Sequence, residues 1–94
     1  MSYKTNYEIY ELFPRYDRRQ SFYGKAYELE HKDGTIQLQS YSTIVAYIKD
    51  GVAHVGGWYS QTTGRHIKEF LKQHGFRADN KDQILRDYGG EDNE

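Results

Sequence analysis

The chain has no cysteine, which excludes disulfides, thiolate nucleophiles and thiolate metal ligands before any pattern is read. It has one proline, Pro14, and no internal repeat or linker-like stretch, so residues 1–90 read as one continuous domain. A second domain would leave neither half enough apolar surface to offset its ordering entropy. Long apolar runs are missing too: nothing approaches the ~20 residues that span a bilayer. The opening MSYKTNYEIYELF lacks the continuous apolar segment of a signal peptide. A cytoplasmic protein with no membrane partner is expected. Net charge is also nearly absent, at −1. Glu91, Asp92 and Glu94 fall in the last four residues, leaving 11 acids against 13 bases over residues 1–90, a balance of +2. That is too little for bulk charge to mark a nucleic-acid binder, so the placement of charge carries the argument.

Aromatics are what the chain has in quantity. Only 36% of residues are hydrophobic, yet there are ten tyrosines, four phenylalanines and one tryptophan, so burial leans on rings whose hydroxyls need partners. NYEIYELF, residues 6–13, has the rough alternation of a strand that Pro14 stops. SFYGKAYELE, residues 21–30, reads as a second strand with Tyr23, Tyr27 and Leu29 on one face and Phe22, Gly24, Ala26 and Glu28 on the other. Asp33-Gly34 and Asp50-Gly51 each stand between strand-like runs, where a two-residue hairpin loop needs positive φ. In TIQLQSY, Ile36 and Leu38 point inward, Gln37 and Gln39 outward. TIVAYIK and VAHV follow, and Gly56-Gly57 ends the run.

A helix is predicted from about Ser60 to His74. Ser60, Thr62 and Thr63 can all accept from the free amides of a first turn, and Ile67, Phe70, Leu71 and His74 recur at helical spacing. Gly75 suits the left-handed residue after the last turn, with Phe76 reaching back to Leu71. A shorter helix is expected over Lys81–Tyr88, capped by Asp79 or Asn80, followed by an acidic disordered tail at 91–94. The fold class is therefore α+β: an antiparallel meander of four to five strands, the main helix across one face, and the short helix at its end. The other sheet face would be tyrosine-rich, left exposed, covered by the N-terminal segment, or buried in a homodimer.

SFYGKA (21–26), SYST (40–43) and YSQTTGRHIKEFL (59–71) together resemble a family of small, functionally uncharacterised proteins. Its members are encoded by phages, plasmids and genomes of Gram-positive gut and lactic bacteria. The likeness runs from Tyr16 to Phe76 and brings no activity with it. A mobile-element setting implies a protein that binds and blocks a host macromolecule, as anti-restriction and anti-CRISPR proteins do.

The candidate site residues come from charge. Arg65, Lys68 and Lys72 fall on one side of the predicted helix, opposite Ile67, Phe70 and Leu71; they form either a solvated face or a contact for phosphate or an acidic surface. Ser60, Thr62 and Thr63, beside Arg65, are a candidate anion cradle at the helix start, with simple capping as the competing explanation. YDRRQSFYGKAY interleaves Arg18, Arg19 and Lys25 with Tyr23 and other rings, the composition of a single-strand nucleic-acid groove, unless the rings are core. His66 and Glu69 share a helix side, but two ligands make no metal site, and no cofactor motif is present. Nothing in the spacing brings Ser60, His66 and Asp50 together as a triad, so an enzyme with His66 in a cleft is the least favoured reading. The leading expectation is a non-enzymatic binder of a host macromolecule, protein before nucleic acid, with a nucleic-acid module as the alternative.

If Gly75 occupies a left-handed position, Gly75→Val costs more than ~1 kcal/mol, because a β-branched side chain is poorly tolerated at positive φ. Calorimetric unfolding measures it, and a loss of only a few tenths would mean that the helix does not end there.

Overall fold

The computed structural model describes residues 7–58 and 60–89. The predicted acidic tail and Asn6 lie outside the described residues. Five strands, β1 (Tyr7–Glu11), β2 (Ala26–His31), β3 (Ile36–Ser40), β4 (Thr43–Lys49) and β5 (Val52–Val55), form one antiparallel sheet in the order of the chain. Two helices follow, α1 (Gln61–Gln73) and α2 (Lys81–Tyr88). The α+β class, the meander and both helices are as the sequence predicts. No helix among the described residues is long and apolar enough to cross a membrane.

Register assigns the faces. Ala26, Glu28, Leu38, Ser40, Ala46, Ile48, Ala53 and Val55 look toward the helices, while Ile9, Tyr27, Leu29, Gln37, Tyr47 and His54 look the other way. A bulge interrupts this in β4, where Leu38 faces Ala46 but Gln39 faces Ile44. The extra residue, Val45, is buried beside Ala46. The two Asp-Gly pairs build different hairpins. Asp50 (φ 54°) and Gly51 (φ 77°) are both left-handed, the two-residue loop that the sequence predicts. At Asp33-Gly34 only Gly34 is left-handed (φ 94°), and the Gly34 N–H bonds to the His31 carbonyl, so the loop is one residue longer.

The second strand starts later than predicted. Tyr23 (φ 54°) and Gly24 (φ 73°) are left-handed and form a turn closed by Lys25 N–H to the Phe22 carbonyl, so the strand begins only at Ala26. Tyr23 is therefore 74% exposed on a turn rather than aligned with Tyr27 and Leu29. Leu12, just past β1, is buried, and Phe13 is exposed.

Ser60 caps α1 by accepting from the Thr63 N–H, and Asn80 caps α2 from the Gln83 N–H. Gly75 (φ 85°) ends α1: its N–H bonds to the Lys72 carbonyl and the Phe76 N–H to Leu71, the paired bonds of a Schellman ending. Ile67, Phe70 and Leu71 are fully buried over β3, and Ile84 of α2 is buried over β5. They join Phe22, Leu38, Val45, Ala46 and Val55 in one core. Each such side chain contributes roughly 1.5–3 kcal/mol by leaving water. The far face of the sheet keeps Ile9, Tyr47 and Val52 exposed, with Tyr47 stacked on His54 at 4.6 Å.

His74 pins the end of α1 to β2 through Glu28 at 3.1 Å, and that hydrogen bond, outweighing burial, raises the imidazole above its ordinary value. A raised folded-state value means stability that is complete below about pH 6.5 and is lost as pH rises through that higher value. Urea midpoints of wild type and His74→Gln should therefore differ more at pH 6 than at pH 9; an equal gap at both would show that the pair is not charged.

Candidate functional site

The segment between β1 and β2 has no regular structure, so its backbone donors need partners elsewhere. Glu69 on α1 supplies them. Its carboxylate, 1% exposed, accepts from the N–H groups of Arg15 at 2.7 Å, Tyr16 at 2.9 Å and Asp17 at 3.1 Å. Gln73, one turn on, donates to the same carboxylate and to the Phe13 carbonyl at 2.8 Å, stitching the segment to the helix at a second point. A buried carboxylate accepting several backbone donors is among the stronger arrangements, since each bond is charge-assisted.

Fixing those amides places two side chains beside α1. Asp17 faces Arg65, with both carboxylate oxygens 3.2 Å from Nη1. Partial burial would raise the Asp17 carboxyl, but the Arg19 N–H and the Arg65 guanidinium outweigh it and hold it below its ordinary value. Tyr16, 61% exposed, stands at the rim of a cleft of about 450 Å³ that runs along α1. Arg65, Lys68 and Lys72 line it, joined by Lys81 from the start of α2. Trp58 forms its other aromatic wall, held against Gly64: a Cβ at that glycine would lie 2.3 Å from the indole Cζ2. Among the described residues Lys68, Lys72 and Lys81 enter no ion pair.

The sequence-predicted residues thus separate. Arg65, Lys68 and Lys72 come together, although Arg65 pairs with Asp17 rather than with Glu69 one turn along. Ser60 and Thr63 are occupied in building the helix start. Ser60 serves as cap, and Thr63 is buried with its hydroxyl 3.1 Å from that of Ser40, while Thr62 is exposed. Arg18, Arg19, Tyr23 and Lys25 are exposed but do not line the cleft; Lys25 instead lies over the Tyr41 ring at 5.8 Å. Tyr16 is one of the rings interleaved with basic residues in YDRRQSFYGKAY, whereas Trp58, Lys81 and Asp17 were not singled out by spacing. The signal for Trp58 was Gly64, a glycine inside a helix pattern, which usually marks a close approach.

His66 is fully buried. Its Nδ1 is 2.8 Å from the Ser40 hydroxyl, Phe22 packs edge-on at 4.6 Å, and Nε2 has no partner among the described residues. Burial lowers its pKa, with Asp17 opposing weakly. Asp50 lies in the β4–β5 turn, at the end of the sheet away from Ser40, so Ser60, His66 and Asp50 form no triad. No group of three His, Cys, Asp or Glu side chains among the described residues could hold a metal.

The fold and cleft define a small α+β domain with a cationic, aromatic-walled groove along its main helix. A family model described as "Family of unknown function (DUF8033)" matches residues 10–86, and the chain belongs to that family. No curated protein and no solved structure matches it.

Glu69→Gln sets an amide donor against backbone donors, and leaving them unpaired is expected to cost ~3 kcal/mol, against ~1 kcal/mol for Gln73→Ala. Gln73→Ala removes one neutral bond to Phe13 and one donor to the carboxylate but leaves the three backbone bonds to Glu69 in place. Urea unfolding of the two variants measures both, and a Glu69→Gln loss below that of Gln73→Ala would show that water serves the loop amides.

Proposed function

We propose that the protein is a non-enzymatic binding module that seats an anionic macromolecule in the cleft along α1. The charge balance of that cleft carries the reading. Arg65, Lys68, Lys72 and Lys81 face two carboxylates that are already engaged, Asp17 by Arg65 and Glu69 by backbone amides. The overall charge is −1, so this excess is local and needs an explanation that bulk composition does not provide.

The partner is a host macromolecule, in line with the mobile-element products that the sequence resembles, and binding blocks the site it occupies. An acidic patch on a host protein would satisfy the cations, giving an inhibitor of the anti-CRISPR or anti-restriction type. Nucleic acid would satisfy them too, and Trp58 and Tyr16 are the observation in its favour. Catalysis is disfavoured because Ser40, Thr63 and His66 are buried and no nucleophile–base pair opens into the cleft. A homodimer would form through the exposed Ile9, Tyr47 and Val52 on the opposite face, leaving the cleft open.

Reversing Lys68 and Lys72 to glutamate should shift elution from an immobilised-heparin column to clearly lower salt, with thermal unfolding showing that the fold survives. Unchanged retention would remove the cleft from consideration. Capture from host lysate with and without nuclease then separates protein from nucleic-acid partners.

A further inference from the structure

We infer that the occupant of the cleft is a single-stranded nucleic acid, with one base stacked on Trp58 and its neighbouring phosphates on Lys68 and Lys72; this rests on the cleft being the binding surface. Three observations converge. Arg65 is the cleft's single guanidinium, and its Nη1 is already engaged by both Asp17 oxygens at 3.2 Å. The cleft's other cations are the ammonium groups of Lys68, Lys72 and Lys81, which enter no ion pair among the described residues. Bidentate recognition of a carboxylate favours arginine, whereas lysine acts as a point charge that serves phosphate equally well. The unpaired charges of the cleft are therefore of a kind that suits the phosphates of a phosphodiester.

Spacing supports this. Lys68 and Lys72 are four residues apart on α1, about 6 Å along its axis, a separation that lets two cations follow a backbone of regularly placed charges. The third observation is the ring. Trp58 packs against Gly64, where a Cβ would come within 2.3 Å, so the indole is held close to the helix beside those lysines. Tyr16 adds a second ring at the rim. Cations tracking a backbone beside rings that take up bases are the two requirements for single-strand binding without sequence readout. In a duplex the base faces are already stacked on one another, so a base reaches Trp58 from a single strand without the cost of unstacking and unpairing.

Trp58 is the one tryptophan of the chain, so its fluorescence reports directly on the cleft. The experiment titrates the protein with four probes: a 15-nucleotide oligo(dT), an abasic deoxyribose-phosphate chain of the same length, the corresponding duplex, and poly-glutamate. Oligo(dT) should quench the fluorescence and bind ~10-fold or more tightly than the abasic chain, with affinity falling steeply as salt rises. Trp58→Leu, followed by a labelled probe, should reduce the ratio of oligo(dT) to abasic affinity toward one. Because both affinities come from one protein sample, partial unfolding does not mimic the result. Lys68→Glu with Lys72→Glu should abolish both. Equal binding of oligo(dT) and the abasic chain without quenching would overturn base stacking while leaving an anion-binding cleft. Preference for poly-glutamate would overturn nucleic acid in favour of an acidic protein, preference for the duplex would overturn the single strand, and no binding by any probe would remove the cleft reading itself.

Discussion

The carboxylate of Glu69 is the contact on which the rest of the site depends. A stretch of chain between two strands, with no ladder of its own, exposes amides that must find acceptors, and one buried side chain accepts from three consecutive residues. The interaction is structural in its energetics and functional in its outcome. By ordering residues 15–17 against α1 it brings Asp17 to the Arg65 Nη1 and Tyr16 to the rim. Without it the groove would have one wall.

The same contact shows why a two-faced view of α1 is incomplete. Spacing divides the helix into an apolar side and a basic side, and both exist: Ile67, Phe70 and Leu71 are buried, and Arg65, Lys68 and Lys72 line the cleft. Glu69 lies on the flank between them and is buried by the loop, not by the sheet. Periodicity detects a side chain that avoids water because it is apolar. It has no means of detecting one that avoids water because backbone donors surround it, since the partners are more than fifty residues away in sequence. Trp58 escaped for a related reason: its seat is defined by an absent Cβ at Gly64, a contact between neighbours in space that composition does not encode.

The elements themselves were largely legible because they rest on local physics. Both helices and the Schellman ending at Gly75 follow from side chains within a few residues of the backbone groups they satisfy, while Ser60 and Asn80 are the caps among the several candidates that the sequence left open. Both hairpins were legible as hairpins, but only the Asp50-Gly51 loop has the length the sequence predicts. Asp-Gly suits both observed geometries, and only cross-strand pairing chooses between them. Tyr23 is the clearest miss. Alternation assigned it to a strand face, whereas it occupies a left-handed turn in which a tyrosine pays a steric cost that the flanking bonds hold in place.

Charge is segregated more strongly than its near-zero sum suggests. Glu8, Glu28 and Glu30 share the helix-facing side of β1 and β2, where Glu8 pairs with Glu30 across the strands and Glu28 meets His74. Lys68, Lys72 and Lys81 collect along the outer side of α1 and the start of α2, while Lys32 lies beside Glu8 and Glu30. An acidic sheet edge and a cationic groove on one small domain make it electrically polar, and a polyanion approaching it is repelled from one flank and drawn to the other before any contact forms. On the proposed reading, orientation during encounter would come from the charge layout, affinity from the lysines in the cleft, and any preference among polyanions from the rings beside them. A net charge of −1 is compatible with tight anion binding because a partner within the screening length, about 8 Å at physiological salt, responds to the nearest charges and not to their sum.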